Sequence, residues 1–450
     1  MNRLAKILAS GDLPALGHYL DEIVGQGIPE RRRAVEGRRY YENDNCIRRR
    51  EPLEEMLDKA RLEKNPLRNS DFRISHNWHQ LLVNQKASYL FSYPPLFDCG
   101  SPGVNARVNK ALGEDFPKIV KNLAIDAANT GVGWLHIWLD GNGKFSYAPV
   151  PREQIYCVYN SELPAGIAYV IRDYYIEAED GERKRKIEIW DEKQALFFEK
   201  SGKGNLKPVP VQGGTGNCLP HTFNCIPFVP FANNSSKTGD LYMVKDLIDQ
   251  YDLVVSGFAN DLADIQEVIF VLRNYGGEDL NTFLSELKRY KAIKVEGDAM
   301  GDGGVETMQI EIPVEARIKF LELLKKQIFI SGQGVNPDPQ NFGNTSGVAL
   351  KYLYSLLEIK AGLLETEFRA GFSQFLRILL GYLGLPEDTP IKQIYYRNSI
   401  ENDMEIAEIA EKSQGVISRR TILRNHPWVE DAAQETEALA QEGESGGNPA

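Results

Sequence analysis

The apolar positions of the chain change spacing along its length, from helical to strand-like and back to helical. Residues 1–71 are polar and helix-prone, with arginine clusters at 31–33 and 48–50. They predict a solvated helical arm; the alternative is a contact with an acidic partner or with DNA. Apolar residues three and four apart then predict helices over 72–93 and about 105–129. Pro117 is expected to kink or split the second of these helices.

A β-rich region follows. Trp134–Trp138 is a short apolar run, and the turn-forming residues Asp140–Gly143 lead from it into Lys144–Val150. Further short strands are predicted at 154–160, 167–175, 185–191 and 194–199. Together these runs predict an antiparallel β region, and the Gly- and Pro-rich stretch 201–220 predicts a loop.

Helical spacing returns at Asp240 and continues to about Leu272, which predicts a rod of about 45 Å. A compact insertion is expected over 275–312, with a helix at 280–290 and strands at 292–296 and 305–312. Pro313 suits the first turn of a second long helix that runs to about Ile330.

The last quarter of the chain combines a polar loop with more helix. Gly332–Asn344 has glycines near both ends and predicts an extended loop. A long helix is predicted from Ser346 to about Gly381, followed by a strand at 391–397 and short acidic helices over 402–442. Gly443–Ala450 is expected to be disordered. The fold class is α+β.

Composition narrows the function. The chain has 450 residues, no apolar run approaches the roughly 18 residues that a membrane span needs, and the first residues lack a secretory signal. We therefore expect an intracellular product without a membrane role. Five cysteines, an odd number, favour free thiols. The net charge of −11 argues against a surface built to grip nucleic acid, and residues 240–267 hold seven acidic residues against one lysine.

No constellation of residues indicates catalysis, so neither enzymatic activity nor a cofactor is expected. Phosphate loops and the GxSxG pattern are absent. Cys218, His221 and Cys225 have the wrong spacing for a zinc site and favour a hairpin. Other weak metal candidates are His76 with His79, for which a helix surface or subunit contact is favoured, and Asp298 with Asp302, for which a flexible turn is favoured.

The order of elements nevertheless resembles that of portal proteins of tailed double-stranded-DNA phages, in particular those of long-tailed phages of Gram-positive hosts. Three stretches carry the resemblance, and the helix His76–Tyr93 is a weaker fourth. They are Ile226–Leu241, Asp246–Asp264, and the loop Gly332–Asn344 running into Ser346–Lys351.

The resemblance implies a ring-forming subunit, normally in twelve copies, at one vertex of the virion head and assembled in the host cytoplasm. Implied partners are the packaging terminase, the head–tail adaptor, the scaffold and major capsid proteins, and double-stranded DNA that passes without sequence-specific binding. The implied parts are an N-terminal helical arm at 1–71, the wing at 72–239, stem helix 1 at 240–272, the clip at 273–312, stem helix 2 at 313–334, the tunnel loop at 335–347, a long wing helix and strand at 348–400, and the crown with its tail at 401–450.

Two sets of site residues follow from the resemblance. The tunnel loop supplies polar groups for weak contacts with moving DNA, namely Asn336, Asp338, Gln340, Asn341, Asn344 and Ser346. The stem supplies charges: carboxylates that would repel phosphates, and lysines that would pair with them or touch DNA. These residues are Asp246, Asp249, Asp252, Asp261, Asp264, Lys319, Lys325 and Lys326.

Three alternatives remain at this point. The acidic residues could solvate an outer face or pair with lysines of a neighbouring subunit. The chain could be another structural ring of the virion, such as a connector or baseplate component. It could also be a zinc-dependent hydrolase that uses Cys218, His221 and Cys225.

Overall fold

The chain divides into two compact units in a computed structural model. The first unit comprises residues 1–42, 79–243 and 329–450, and the second comprises 43–78 and 244–328. The structure describes residues 3–50, 70–177, 181, 183–202, 204–264, 269–273, 304–308, 313–337, 347–398, 403–424, 426, 429 and 432–445.

Twelve helices are formed by the described residues. They are α1 (Arg3–Ser10), α2 (Leu13–Gln26), α3 (Ile28–Tyr41), α4 (Trp78–Phe91), α5 (Pro102–Leu112), α6 (Phe116–Thr130), α7 (Lys245–Asp264), α8 (Val314–Ser331), α9 (Gly347–Tyr382), α10 (Asp403–Lys412), α11 (Arg419–Arg424) and α12 (Ala432–Ser445).

Thirteen strands accompany them within the same described ranges. They are β1 (Leu96–Asp98), β2 (Val132–Leu139), β3 (Phe145–Val150), β4 (Ile155–Tyr159), β5 (Ile167–Glu177), β6 (Arg183–Trp190), β7 (Gln194–Ser201), β8 (Lys207–Pro208), β9 (Cys218–Pro220), β10 (Phe228–Ala232), β11 (Ile269–Arg273), β12 (Gly304–Met308) and β13 (Lys392–Ile394).

The strands of the first unit form three antiparallel sheets. Their orders are β10-β2-β3, β4-β5-β6-β7-β8 with β9 added beside β7, and β1-β13. The predicted antiparallel region is therefore confirmed. The predicted split at Pro117 is confirmed as well, since this proline lies in the first turn of α6, where its missing N–H leaves no helical hydrogen bond unmade.

The main core of the first unit lies between α9 and the sheet β10-β2-β3. Phe231 of β10 packs against Phe368 and Phe372 of α9, with ring centroids 5.1 and 5.0 Å apart. Helix α6 ends at Gly131, whose φ of 89° is the left-handed conformation that glycine tolerates best. A Cβ there would lie 2.1 Å from the Lys237 carbonyl oxygen, so no larger residue fits this approach.

The prediction of a solvated N-terminal arm is wrong for α1 and α2. Leu4, Leu16 and Leu20 are buried in one cluster with Ile171 and Ile187 of the large sheet. These helices are amphipathic, so an apolar stripe covers the sheet although their overall composition is polar. Helices α1 and α2 are thus part of the first unit's core.

The two long helices of the second unit are correctly predicted, but the first is shorter than expected. Helix α7 ends at Asp264, and Ile269–Arg273 is a strand that pairs antiparallel with Gly304–Met308. The run Val268–Val271 is β-branched and aromatic, which favours a strand over a helix. The rest of the predicted insertion, including 280–290 and 292–296, lies outside the described residues.

Two further expectations concern the chain end and the cysteines. Helix α12 continues to Ser445, so the predicted disordered tail begins too early; 446–450 lie outside the described residues. None of the five cysteines, all of which lie in described ranges, forms a disulfide in the structure. In the part of the chain that the structure describes, no helix has the length and apolar character needed to cross a bilayer.

Candidate functional site

Helix α7 holds an extended segment of its own chain along one face. Four polar side chains spaced four residues apart accept hydrogen bonds from alternate backbone N–H groups of residues 70–76. The four contacts are Ser70 N to Asp264 Oδ1 (3.0 Å), Phe72 N to Asn260 Oδ1 (2.6 Å), Ile74 N to Ser256 Oγ (2.9 Å) and His76 N to Asp252 Oδ1 (3.0 Å).

The spacing of this side-chain ladder has a simple geometric reason. Four residues of an α-helix rise about 6 Å, and two residues of an extended chain span about 6.6 Å. A helix with a polar residue at every fourth position can therefore satisfy every second N–H of an antiparallel extended segment. The face of α7 that carries Asp252, Ser256, Asn260 and Asp264 is committed to this intrachain contact.

Asp252 is the most enclosed member of the ladder, with no exposed surface. Besides the His76 N–H, its carboxylate lies 2.8 Å from His76 Nδ1 and accepts from Asn45 Nδ2 at 2.6 Å. A carboxylate this deeply buried is tolerated because its oxygens are satisfied. Asp252 is therefore a structural group and not one of the solvent-facing charges that the sequence suggested.

The other predicted stem carboxylates differ in their exposure. Asp249 pairs with Lys245 at 2.8 Å, and Asp261 pairs with Arg317. Asp264 belongs to the ladder. Asp246 is the only one of the five that is classed as exposed, which leaves it as the acidic side chain of α7 most available to a ligand.

The predicted basic residues lie on α8, the second helix of the second unit. Lys319 is exposed and pairs with Glu315 at 2.6 Å, one turn away. Lys326 is exposed and Lys325 is half-buried. Within the chain, the partners of Asp249 and Asp261 are thus Lys245 and Arg317, two residues that the sequence analysis did not single out.

The predicted tunnel loop is fixed at the residues that precede it. Gln85 of α4 clamps Val335: its Nε2 donates to the Val335 carbonyl at 2.7 Å, and its Oε1 accepts from the Val335 N–H at 3.0 Å. Lys360 of α9 donates to the Gly332 carbonyl at 2.8 Å. Of the predicted loop residues, Asn336 is half-buried; Asp338, Gln340, Asn341, Asn344 and Ser346 lie outside the described residues.

Lys360 also belongs to a buried ionic cluster in the first unit. The Asp240 carboxylate lies 2.7 Å from Lys86 Nζ and 3.0 Å from Lys360 Nζ. Asn233 bridges the cluster, since its Oδ1 accepts from Lys86 at 2.6 Å and its Nδ2 donates to Asp240 at 2.7 Å. This cluster links helices α4 and α9 to the residue that begins the predicted stem.

Burial and charge pairing together set the protonation of the cluster. Burial lowers the pKa of Lys86 to about 8 although Asp240 opposes this shift. Burial would raise the pKa of Asp240, but the two ammonium groups outweigh it and hold that pKa well below its usual range. The contacts of the Asp240 carboxylate with Lys86 and Lys360 are therefore buried ion pairs, to which Asn233 adds a hydrogen bond.

Four of the candidate metal residues make ordinary hydrogen bonds, namely His76, His79, Cys218 and His221. His79 is buried with its Nε2 2.9 Å from Asn129 Oδ1, which differs from the helix surface or subunit contact favoured from sequence. Cys218 donates to Gln194 Oε1 at 3.0 Å, and His221 Nε2 lies 3.0 Å from the Asp191 carbonyl. Among the described residues, no group of three His, Cys, Asp or Glu side chains is placed to hold a metal; Asp298 and Asp302 lie outside them.

Several of these positions left a signal in the sequence. Asp252, Ser256, Asn260 and Asp264 repeat at four-residue intervals, which marks one polar face of a helix. Lys86 stands among apolar residues of α4, a pattern that often indicates a buried, paired charge. The Gln85 clamp has no such signal, because its partner is backbone that is distant in sequence.

Comparison of the sequence with known proteins identifies the family of this chain. The profile of the family "Phage portal protein, SPP1 Gp6-like" matches residues 21–448. A portal protein of Clostridium phage phiCD119 is 46% identical over 437 residues, covering 93% of this chain and 94% of the relative. The portal protein of Bacillus phage SPP1 is 30% identical over 457 residues, covering 97% of this chain and 88% of the relative.

One solved structure is similar at the level of shape alone. It is described as the neck of a native GTA particle computed with C12 symmetry, and the match covers 82% of this chain and 91% of that one, with 12% identity and a TM-score of 0.42. The assignment therefore rests on the sequence comparisons. By its family profile and its two relatives, the chain belongs to the SPP1 Gp6-like family of phage portal proteins.

Proposed function

We propose that this portal subunit assembles into a ring of twelve copies at one vertex of the phage head, and that double-stranded DNA enters and leaves through the ring. The observation that carries the proposal is the family match over residues 21–448, together with 46% identity to a portal protein along nearly the whole chain. The ring would also dock the packaging terminase and the head–tail adaptor, and contact the scaffold and major capsid proteins. Assembly would take place in the host cytoplasm.

The parts implied by the resemblance become proposals for the described elements. Helices α7 and α8 would form the stem, and the strand pair β11 and β12 would begin the clip. The first unit would form the wing and crown. The separation of residues 244–328, with 43–78, into a compact unit of their own supports a stem and clip that are distinct from the wing.

Fewer carboxylates are available to face DNA than the sequence suggested. Carboxylates that face DNA repel its phosphates and keep the duplex from binding tightly. Asp252 and Asp264 hold residues 70–76, while Asp249 and Asp261 pair with cations of the same chain. Asp246 is the exposed carboxylate of this set, so we propose it as the stem residue that presents negative charge to DNA.

The loop after Val335 would supply the weak polar contacts of the tunnel. Its proposed residues are rich in amide side chains, which can exchange hydrogen bonds with a moving backbone. The Gln85 clamp and the Lys360 contact hold the start of this loop, so conformational change would begin after Val335.

Deletion of the gene for this chain from the phage that encodes it tests the portal function. Heads assembled without it should contain no DNA, and expression of the chain in trans should restore filled heads. A head–tail connector or baseplate component would give the opposite result, namely DNA-filled heads that lack functional tails. DNA-filled heads in the absence of this chain would overturn the proposal.

A further inference from the structure

An open apolar groove lies between the two helices of the second unit. Val254 and Gly257 of α7 and Ala316 and Phe320 of α8 line a cavity of about 380 Å³ together with Arg317. Phe320 is 41% exposed. A Cβ at Gly257 would meet nothing within 4 Å, so the glycine leaves space that the chain's described residues do not fill.

The groove is also lined by a charged side chain, that of Arg317. One arm of the Arg317 guanidinium pairs with Asp261, and its carbon lies 5.4 Å from the centre of the Phe258 ring. The other arm, Nη1, is buried and has no acceptor among the described residues. The Arg317 side chain as a whole is 27% exposed, so this cation is accessible at the groove and favours an incoming carboxylate.

The opposite side of α8 carries a matching surface. Ile318 is 46% exposed, and the exposed carboxylate side chains Glu315 and Glu322 lie three residues before and four after it. Ile318 is two positions from both Ala316 and Phe320, which corresponds to about 200° around the helix and about 3 Å along it. Groove and counter-surface therefore lie at the same height on opposite sides of one helix.

We propose that Ile318 of one copy of the chain enters the groove of the next copy, where Glu322 of the first copy meets Arg317 of the second. This inference rests on the proposed ring, in which stem helices would run along the ring axis and equal heights would meet. Because the two surfaces differ, the contact is heterologous: each copy uses its groove on one side and its Ile318 on the other, and the contact repeats until the ring closes.

Filling the groove tests the contact without disturbing the subunit. Gly257→Leu places a side chain in open space and removes a helical glycine, so the subunit should unfold at an equal or higher temperature. The ring fraction, measured by light scattering, should fall at least tenfold. Gly381→Leu is the matched control, because Gly381 is also in a helix with nothing within 4 Å of a Cβ, and it should assemble like the wild type.

Cysteine cross-linking tests the same contact directly. In a Cys46→Ser background, the double variant Ala316→Cys with Ile318→Cys should give a ladder of products beyond the dimer after oxidation, since the pair cannot bridge within one helix. Each single variant should give no ladder. Wild-type ring yield with Gly257→Leu, or cross-linked products that stop at the dimer, would overturn this contact and leave the portal function standing. A wild-type chain that forms a closed dimer or trimer without a hole would overturn both the contact and the proposed portal ring.

Discussion

Several acidic side chains of this subunit are buried, and neighbouring polar groups satisfy their charge. Asp252 shows the principle most clearly, because a stem carboxylate that looks available in the sequence is enclosed by His76 and Asn45. Its charge is used to fix backbone, and the same holds for Asp240 between Lys86 and Lys360. The number of acidic residues in this region therefore overstates how many carboxylates could face DNA in the proposed channel.

Asp252→Ala should destabilise the subunit by about 2–4 kcal/mol, since it leaves the His76 N–H and the Asn45 amide without their acceptor. Denaturant unfolding of the purified chain measures the change. Asp246→Ala is the matched control: the side chain is exposed and its loss should shift stability by less than about 0.5 kcal/mol. Equal effects of the two substitutions would show that Asp252 is not the buried anchor described above.

His136 predicts a pH dependence of stability. It is stacked on Phe228, its Nδ1 lies 3.0 Å from the Pro227 carbonyl, and burial lowers the pKa of its imidazole to about 4. Between pH 6.5 and 4 the unfolded chain therefore binds a proton that the folded chain does not, so stability falls as the pH falls through this window.

The loss attributable to His136 should reach about 3 kcal/mol at pH 4 relative to pH 7. Urea unfolding at both pH values, with the wild type and His136→Phe, measures it. The variant should be less stable at pH 7 because the Pro227 carbonyl loses a partner, but its drop on acidification should be smaller. An identical drop in both proteins would contradict the assigned pKa.

Among the secondary-structure elements, two long helices hold distant segments of the chain through hydrogen bonds from side chain to backbone. The ladder on α7 binds residues 70–76, and the clamp of Gln85 holds the residue from which the predicted tunnel loop departs. Both devices connect parts of the chain that are far apart in sequence. Each relies on side chains that satisfy backbone groups, which is the usual way to order a segment that joins no sheet.

Gln85→Leu should release the start of the loop. The substitution keeps the side-chain size but removes both hydrogen bonds to Val335, so the Val335 amide should exchange with solvent at least about tenfold faster, equivalent to about 1.4 kcal/mol of lost protection. Hydrogen exchange read by NMR or mass spectrometry measures this. Gln250→Leu, at an exposed position of α7, is the control, and it should leave Val335 protected; unchanged exchange in Gln85→Leu would rule out the clamp.

Helical spacing predicted that α4 to α9 exist because these helices are strongly periodic. It began α4 too early, however: the predicted helix starts at residue 72, whereas α4 starts at Trp78 and residues 70–76 are the extended segment that α7 holds. The predictions were wrong where the local sequence pattern did not determine the tertiary packing. The end of α7 was placed too late because an apolar run such as Val268–Val271 fits helix and strand alike. The role of α1 and α2 was missed because their few leucines stand in a polar sequence, and their burial depends on a sheet more than a hundred residues away.

The site could be predicted only in part for a related reason. Sequence spacing placed the stem charges on the correct helices, yet it could not tell Asp246 from Asp252, since exposure is set by residues 45 and 76. Likewise, Arg317 gives no local signal, and its position between Asp261 and the groove follows from the packing of two helices.

At the level of the whole molecule, the groove and the exposed Ile318 surface are features expected of a subunit that binds further copies of itself. The first unit has its own cores, and the second has a groove and a counter-surface that its described residues leave uncovered. The proposed heterologous contact would give a closed ring when the rotation between successive copies closes, and such a ring would supply the proposed DNA channel.

The mass and shape of the purified assembly test the proposed ring of twelve subunits. Light scattering with negative-stain microscopy should give twelve subunits of 50.7 kDa, about 608 kDa from 12 × 50.7, and particles with a central hole. A closed dimer or trimer without a hole would contradict the proposed ring and therefore the proposed DNA channel.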